Sequence, residues 1–280
     1  MKYSICSDTF PGWSVEHIFT LAKQIGYDAV ELASYSFCDS ITDVTDPERQ
    51  RMRAWADAAD IEIAGIHALF TPIPNMQPLH SCPAGLQLNS ADPEIREWTK
   101  GYLKELIRFC GEVGGRNVVL GSAKSRSIPD EIPYDEGWRM ARDTLRECAE
   151  YCADYDVVLS LEPIHTALTN FINTPDDAMR MVRDVDHPNL RWMLDCFAAY
   201  NQGVDVPKAI HEHGKYLVHV HMNDENKRWP GTGKVDFPPI AQALKDIGYS
   251  GYLSLEVMDL EPDPETIARE GLAAMRGFFE

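Results

Sequence analysis

Four residues of the kinds that hold divalent cations end successive strand-like runs in the second half of this 280-residue chain. Leu-Ser-Leu leads into Glu162, Arg-Trp-Met-Leu into Asp195, Val-His219-Val into His221 and Leu-Ser-Leu into Glu256. Each lies about 30 residues from the next, the length of one strand–helix–strand unit. Strand ends from adjacent parallel units converge on one mouth. Three ionised carboxylates cannot share a small mouth without a counter-charge, and a divalent cation supplies it. An oxygen-rich set with one imidazole suits Mn2+, Mg2+ or Co2+ better than a structural zinc site. The competing reading makes each a separate strand-end residue that caps a helix or pairs with Lys or Arg. It would serve for one such residue but poorly for four in series. His219 and His221 are two apart and point to one side of their strand. Only His221 is level with the other ends, which leaves His219 behind it or packed in the core.

The elements that must position these residues alternate strictly. Strands are predicted over 3–6, 28–32, 61–67, 117–121, 157–162, 190–195, 216–222 and 252–256. Helices are predicted between them, from Ser14 to Gly26, from Asp46-Pro47 with Asp46 as the cap, from Asp92-Pro93 to about Gly114, and over 134–155. Further helices follow from Thr174-Pro175, over 205–213, over 237–247 and over 263–279. Ser, Thr or Asp ahead of Pro is helix-start chemistry, and glycine after the last turn is helix-stop chemistry. Eight βα units with no break in composition predict a parallel sheet closed into a single (β/α)8 TIM barrel over 1–280, of α/β class. An open doubly wound sheet would carry a Gly-rich first turn, and Ser7-Asp8-Thr9-Phe10-Pro11-Gly12 is not one. Two loops, 68–91 with five residues of Pro and Gly type (Pro72, Pro74, Pro78, Pro83, Gly85) and 223–235, leave the carboxyl ends of strands and are read as binding loops.

Composition narrows the partners. With 26 Lys+Arg against 44 Asp+Glu the formal charge is −18, which opposes nucleic acid and anionic membrane as partners. No apolar run has the ~20 residues of a membrane span, and residues 1–11 lack the apolar stretch of a secretory signal. Seven cysteines, an odd number with no CxxC, fit the reducing cytoplasm better than a disulfide framework. Cys148 and Cys152 share a helix face and are read as buried.

Other residues belong to the same mouth. Lys124 and Arg126, with Ser122 and Ser125, follow the fourth strand; they either hold a phosphate or carboxylate of a substrate or balance the nearby carboxylates. His67 ends the third strand as a substrate contact or a packed histidine. Glu31 ends the second strand, free to bond a substrate hydroxyl or to pair with Lys124 or Arg126. His165 contacts substrate or lines its loop. Phe10, Trp13, Phe70 and Trp229 are stacking candidates against a prior of ordinary packing. Asp224 and Asn226 position the seventh loop or the substrate.

These motifs resemble the xylose isomerase-like sugar isomerase/epimerase superfamily, and most closely its D-tagatose 3-epimerase and fructoselysine 3-epimerase branch. The resemblance rests on Leu161-Glu162-Pro163, Leu194-Asp195, His219-Val-His221, Pro230-Gly231-Thr-Gly233, Gly248-Tyr-Ser-Gly251-Tyr and Leu255-Glu256, and it covers nearly the whole chain. It implies a Mn2+-type site of Glu162, Asp195, His221 and Glu256, a Lewis-acid metal on a substrate carbonyl and hydroxylate, and Glu162 and Glu256 as the two proton-transfer groups. It further implies a small sugar or sugar derivative as substrate and a homo-oligomer, dimer or tetramer; His67, Lys124, Arg126, His165, Lys227, Arg228 and Trp229 are the residues read as its substrate contacts. The chain departs from ketose epimerases at Leu168, Ala198 and Lys227, and its Asp195-Cys-Phe-Ala-Ala-Tyr200 run is closer to the fructoselysine type. That points to a substituted sugar. The same ligands would also serve a lyase, by inosose dehydration or 3-keto-glycoside cleavage. An endonuclease on this scaffold is opposed by the acidic charge, and a non-catalytic sugar binder by the full set of four ligands.

Overall fold

The computed structural model describes residues 1–70 and 80–280. Eight parallel strands pair in sequence order and β1 closes on β8, giving the expected (β/α)8 barrel. In chain order the elements are β1 (Lys2–Cys6), α1 (Val15–Ile25), β2 (Ala29–Ala33), α2 (Asp46–Ala59), β3 (Glu62–His67), α3 (Pro93–Val113), β4 (Asn117–Leu120), α4 (Ala123–Arg126) and α5 (Tyr134–Cys152). They continue as β5 (Val158–Leu161), α6 (Pro175–Val185), β6 (Leu190–Asp195), α7 (Cys196–Gln202), α8 (Val206–His213), β7 (Leu217–Met222), α9 (Phe237–Asp246), β8 (Tyr252–Leu255) and α10 (Pro264–Phe279).

Local chemistry explains the boundaries. Ser14 caps α1 by accepting the His17 N–H at 3.3 Å, and Asp92 caps α3 by accepting from Glu94 at 2.8 Å. Thr174 and Asp177 form a reciprocal cap on α6. At α2 the expectation needs correction: the cap is Thr45, whose N–H donates to the Glu48 carboxylate at 2.8 Å, while Asp46 already sits in the first turn. The short helices α4 and α7 are absent from the sequence reading, because four and seven residues are too few for helical periodicity to register. α1 stops at Gly26, whose φ of 113° only glycine adopts freely.

The apolar core fills the layer between strands and helices, with Ile18 and Phe19 of α1 and Leu103, Leu106 and Ile107 of α3 fully buried. The bore of the barrel differs. Ser4, Glu31, Ser160, His219 and Ser254 are buried on its strands, so a polar column runs up to the mouth. Both long loops leave the strands at that end. Asp224 organises 223–235, accepting from the N–H groups of Gly231, Gly233 and Val235 at 2.9 Å each. In the 68–91 loop, Pro72, Pro74 and Pro78 lie outside the described residues; Leu88 donates to the Ser125 carbonyl at 2.7 Å, which holds the loop's later part on α4. All seven cysteines are free thiols, Cys148 and Cys152 buried. Among the described residues no helix is long and apolar enough to cross a membrane.

Candidate active site

Glu162 follows β5, Asp195 ends β6, His221 lies in β7 and Glu256 follows β8. Strand register makes Asp195 the direct neighbour of His221, and His221 that of Ser254, so the four side chains meet at the carboxyl end of the barrel. Ligand atoms of Glu162, Asp195 and His221 lie within 4.8 Å of one another. Glu256 joins them through His221, whose Nδ1 is 3.1 Å from its Oε2. Asp195 serves two ends at once: Oδ1 accepts from the Ala198 N–H at 2.5 Å and starts α7, while Oδ2 faces the site. Asn223 ties the carboxylates together, donating from Nδ2 to Asp195 Oδ2 at 2.7 Å and to Glu256 Oε2 at 3.3 Å, and its Oδ1 accepts from Phe197 at 2.8 Å. Gly121 leaves room for the Glu162 carboxylate, since a Cβ there would stand 2.0 Å from Oε2.

The charge balance of the site is set by burial. Burial and the neighbouring Glu256 push the Glu162 carboxyl up to about 7. Burial, Glu256 and Glu162 push Asp195 well above the usual carboxylate range. Burial also acts on Glu256, but the His221 imidazole outweighs it and holds that carboxyl below its ordinary value. His67 is raised to about 9, because Asp8 outweighs a burial that opposes the charge. Among the described residues no Lys or Arg pairs with the side chain of Glu162, Asp195 or Glu256; the only ion-pair partners are His67 and His221. His221 Nδ1 is buried, without a hydrogen-bond partner, and aimed at the carboxylates. Three carboxylates and an imidazole nitrogen, three of the four with ligand atoms within 4.8 Å of one another, fit a divalent cation.

These groups form the floor of a cavity of about 320 Å³. Its wall includes His67, Lys124 and His165 together with Leu168, Phe197, Ala198 and Met258. Three of the proposed substrate contacts therefore face the cavity, and four do not. Arg126 is fully buried behind Glu162, and its guanidinium donates to the carbonyls of Leu120 at 3.0 Å and Glu162 at 2.5 Å. Arg126 does not line the cavity and, among the described residues, forms no ion pair with a carboxylate; its charge reaches Glu162 only as a lesser influence that lowers the carboxyl against burial. Arg228 donates to the Glu261 carbonyl at 2.7 Å and lies over the Trp229 ring, so both brace the seventh loop outside the cavity. Lys227 adopts a left-handed backbone, its carbonyl accepting from Met258 and Asp259. Its charge, after burial, helps depress His165.

Glu31 pairs with neither Lys124 nor Arg126; it accepts from His219 Nε2 at 2.7 Å and His221 Nε2 at 3.1 Å. Phe10 and Phe70 are core residues and Trp13 stacks on His17, so none of the stacking candidates lines the cavity. Two residues escaped the sequence reading. Asn223 continues the alternation of 219 and 221 onto the same side of the strand, and that period of two was a usable signal. Asp8, which bonds His67 at 3.2 Å and accepts from Tyr35 at 2.5 Å, lies in a turn with no periodicity to mark it.

Comparison with known proteins follows this geometry. The family model described as xylose isomerase-like TIM barrel matches residues 19–278. A D-psicose 3-epimerase of Ruminiclostridium cellulolyticum is 26% identical over 251 residues, spanning 87% of this chain and 79% of that protein. A fructoselysine 3-epimerase of Shigella flexneri is 24% identical over 271 residues, spanning 95% and 93%. The crystal structure of D-psicose 3-epimerase with D-tagatose from Clostridium cellulolyticum H10 superposes with a TM-score of 0.85 at 23% identity, covering 100% of both chains, which speaks for the fold.

Proposed function

This chain belongs to the xylose isomerase-like TIM barrel family, and within it we propose a divalent-metal-dependent sugar epimerase acting on a ketose or substituted keto-sugar. The observation that carries the proposal is the set of three strand-end carboxylates converging on Nδ1 of His221, with no Lys or Arg ion-paired to them among the described residues. Glu162, Asp195, His221 and Glu256 would hold the cation, with Mn2+ the first candidate and Mg2+ or Co2+ also suited to the donors. When bound, the cation supplies a Lewis acid for negative charge on substrate oxygen.

The chain's own residues supply the proton transfers. β5 and β8 flank β6 and β7 in the ring, so Glu162 and Glu256 reach the cavity from separated sides. One carboxylate oxygen removes the proton beside the substrate carbonyl, and the other carboxyl returns a proton to the opposite face, which inverts that carbon. Asn223 and the Ala198 N–H hold Asp195 still while this happens. His67, Lys124 and His165 are placed to orient substrate oxygens, and Leu168, Ala198 and Met258 to receive a less polar portion. The epimerase activities of the relatives support the reaction class. A homo-oligomer in a reducing cytoplasm completes the reading, the compartment suggested by an odd number of cysteines with no CxxC.

The test is deuterium uptake from D2O, followed by NMR with Mn2+ present, across free ketoses, ketose phosphates, fructosamine-type adducts and 3-keto-glycosides. Uptake at one carbon beside the carbonyl, with inversion there, is expected. Loss of water or an aglycone instead would replace the epimerase by a lyase. Metal content unchanged in both Asp195→Ala and His221→Ala would refute the site.

A further inference from the structure

Below the mouth lies a group that proton transfer does not use. Glu31 on β2 is fully buried and spans the bore to two imidazoles of β7. Its Oε2 accepts from His219 Nε2 at 2.7 Å and its Oε1 from His221 Nε2 at 3.1 Å. An ionised carboxylate only accepts hydrogen bonds, so both rings present Nε2–H to it. A neutral His221 then has its lone pair on Nδ1. That atom is 3.1 Å from Glu256 Oε2 and 3.9 Å from Asp195 Oδ2. Carboxylates so placed call for positive charge between them and the ring, a second ring proton on Nδ1 or a metal cation in its place.

The backbone is shaped for this contact. The β2–β3 register shifts between Val30 and Glu31, and the β6–β7 register shifts between Trp192 and Met193, the residue paired with His219. Register irregularities re-aim side chains, and these two fall on the residues that meet across the barrel.

We propose that Glu31 is a positioning residue of the metal centre, fixing the tautomer and ring orientation of His221, with His219 anchoring its second oxygen. The proposal rests on the metal reading above. Glu31→Gln keeps one acceptor but replaces the other by an NH2 group, which meets an Nε2–H, so an imidazole must turn or change tautomer. Glu31→Leu removes both acceptors.

The experiment uses Co2+ as the probe. Its Kd is measured by competition with a chelating dye, its visible spectrum is recorded, and long-range 1H–15N correlation reads the histidine tautomers of the metal-free protein. Wild type is expected to bind Co2+ and to carry the His221 proton on Nε2. Glu31→Gln is expected to lose about 10–100-fold in affinity, the usual effect of removing a group that orients a ligand, and to change the Co2+ spectrum; Glu31→Leu should lose at least as much. A purely structural Glu31 would lower Tm and leave the Kd and spectrum of the folded variant at wild-type values, which overturns the proposal. A wild-type His221 whose only ring proton is on Nδ1 overturns it as well. The near-isosteric Gln variant decides the matter if the Leu variant does not fold. A wild type that takes up no Co2+ defeats the metal reading itself, whereas equal uptake by wild type and variants defeats only the role of Glu31.

Discussion

Arg126→Ala separates a structural cation from a substrate clamp. Truncation leaves the Glu162 carbonyl, bonded at 2.5 Å, without its donor and the Leu120 carbonyl, bonded at 3.0 Å, with only a long 3.4 Å bond from the Glu162 N–H. An orphaned group costs about 1–3 kcal/mol, so the two together cost about 3–4 kcal/mol. The third contact, 3.5 Å to the Ile172 carbonyl, adds little. Burial opposes the charge strongly enough to lower the guanidinium to about 10, and removing it returns some of that penalty. A net loss of about 3 kcal/mol remains, which at about 2–4 °C per kcal/mol for a chain of this size lowers Tm by roughly 6–12 °C. Differential scanning calorimetry of the metal-free variant measures it. Because the Glu162 carbonyl is one of the two acceptors, metal affinity should fall as well. Lys124→Ala is the control: it lines the cavity, so it should leave Tm nearly unchanged and raise KM for anionic substrates only. A Tm shift under about 2 °C in Arg126→Ala, together with a KM increase confined to anionic substrates, would refute this reasoning and restore the clamp.

Two further outcomes follow from the same site. Gly121→Ala places a Cβ 2.0 Å from Glu162 Oε2, so it should displace the carboxylate and weaken metal binding by about tenfold or more, read by isothermal titration; binding at wild-type strength would mean Glu162 is not a ligand. Metal uptake should also depend on pH. The Glu162 carboxyl, raised to about 7 by burial and Glu256, holds its proton below that pH, and Asp195 is raised too. A cation must displace those protons, so affinity should rise with pH through about 7 and protons should be released on binding. Titrations in buffers of different ionisation enthalpy count them, and no release near pH 6.5 would contradict the assignment.

The barrel and the mouth were legible because their signals are local. Continuous apolar runs such as Val118–Leu120, buried throughout, mark parallel strands, and Ser14, Asp92 and Thr174 mark helix starts with their own side chains. Once strand order is known, a strand's last residue is at the mouth whatever its neighbours are. Side-chain direction beyond that point was not legible. Lys124 and Arg126 sit on the same short turn with the same charge, yet one lines the cavity and the other is buried behind Glu162. The difference lies in α4, whose four residues rotate successive side chains by about 100°. Lys227, Arg228 and Trp229 were misplaced for a related reason: Asp224 gathers three backbone N–H groups and folds 223–235 back on itself.

Contacts across the bore form a separate class. Glu31 and His219 are 188 positions apart, and no period within either strand links them. What joins them is the tilt and stagger of a closed barrel, which bring inward residues of different strands into common layers. In most such barrels those layers are packed by branched apolar side chains. Here Ser4, Ser160 and Ser254 leave space, and a buried carboxylate with two imidazoles occupies the bore. A buried ionised group is costly unless it is paired, and Glu31 faces three imidazoles, His219, His221 and, at 3.5 Å, His67, the first two outweighing its burial. A fold under selection for stability alone gains more from leucine at such a position. The polar bore is therefore best explained by what it supports, the orientation of the imidazole that faces the carboxylates at the mouth.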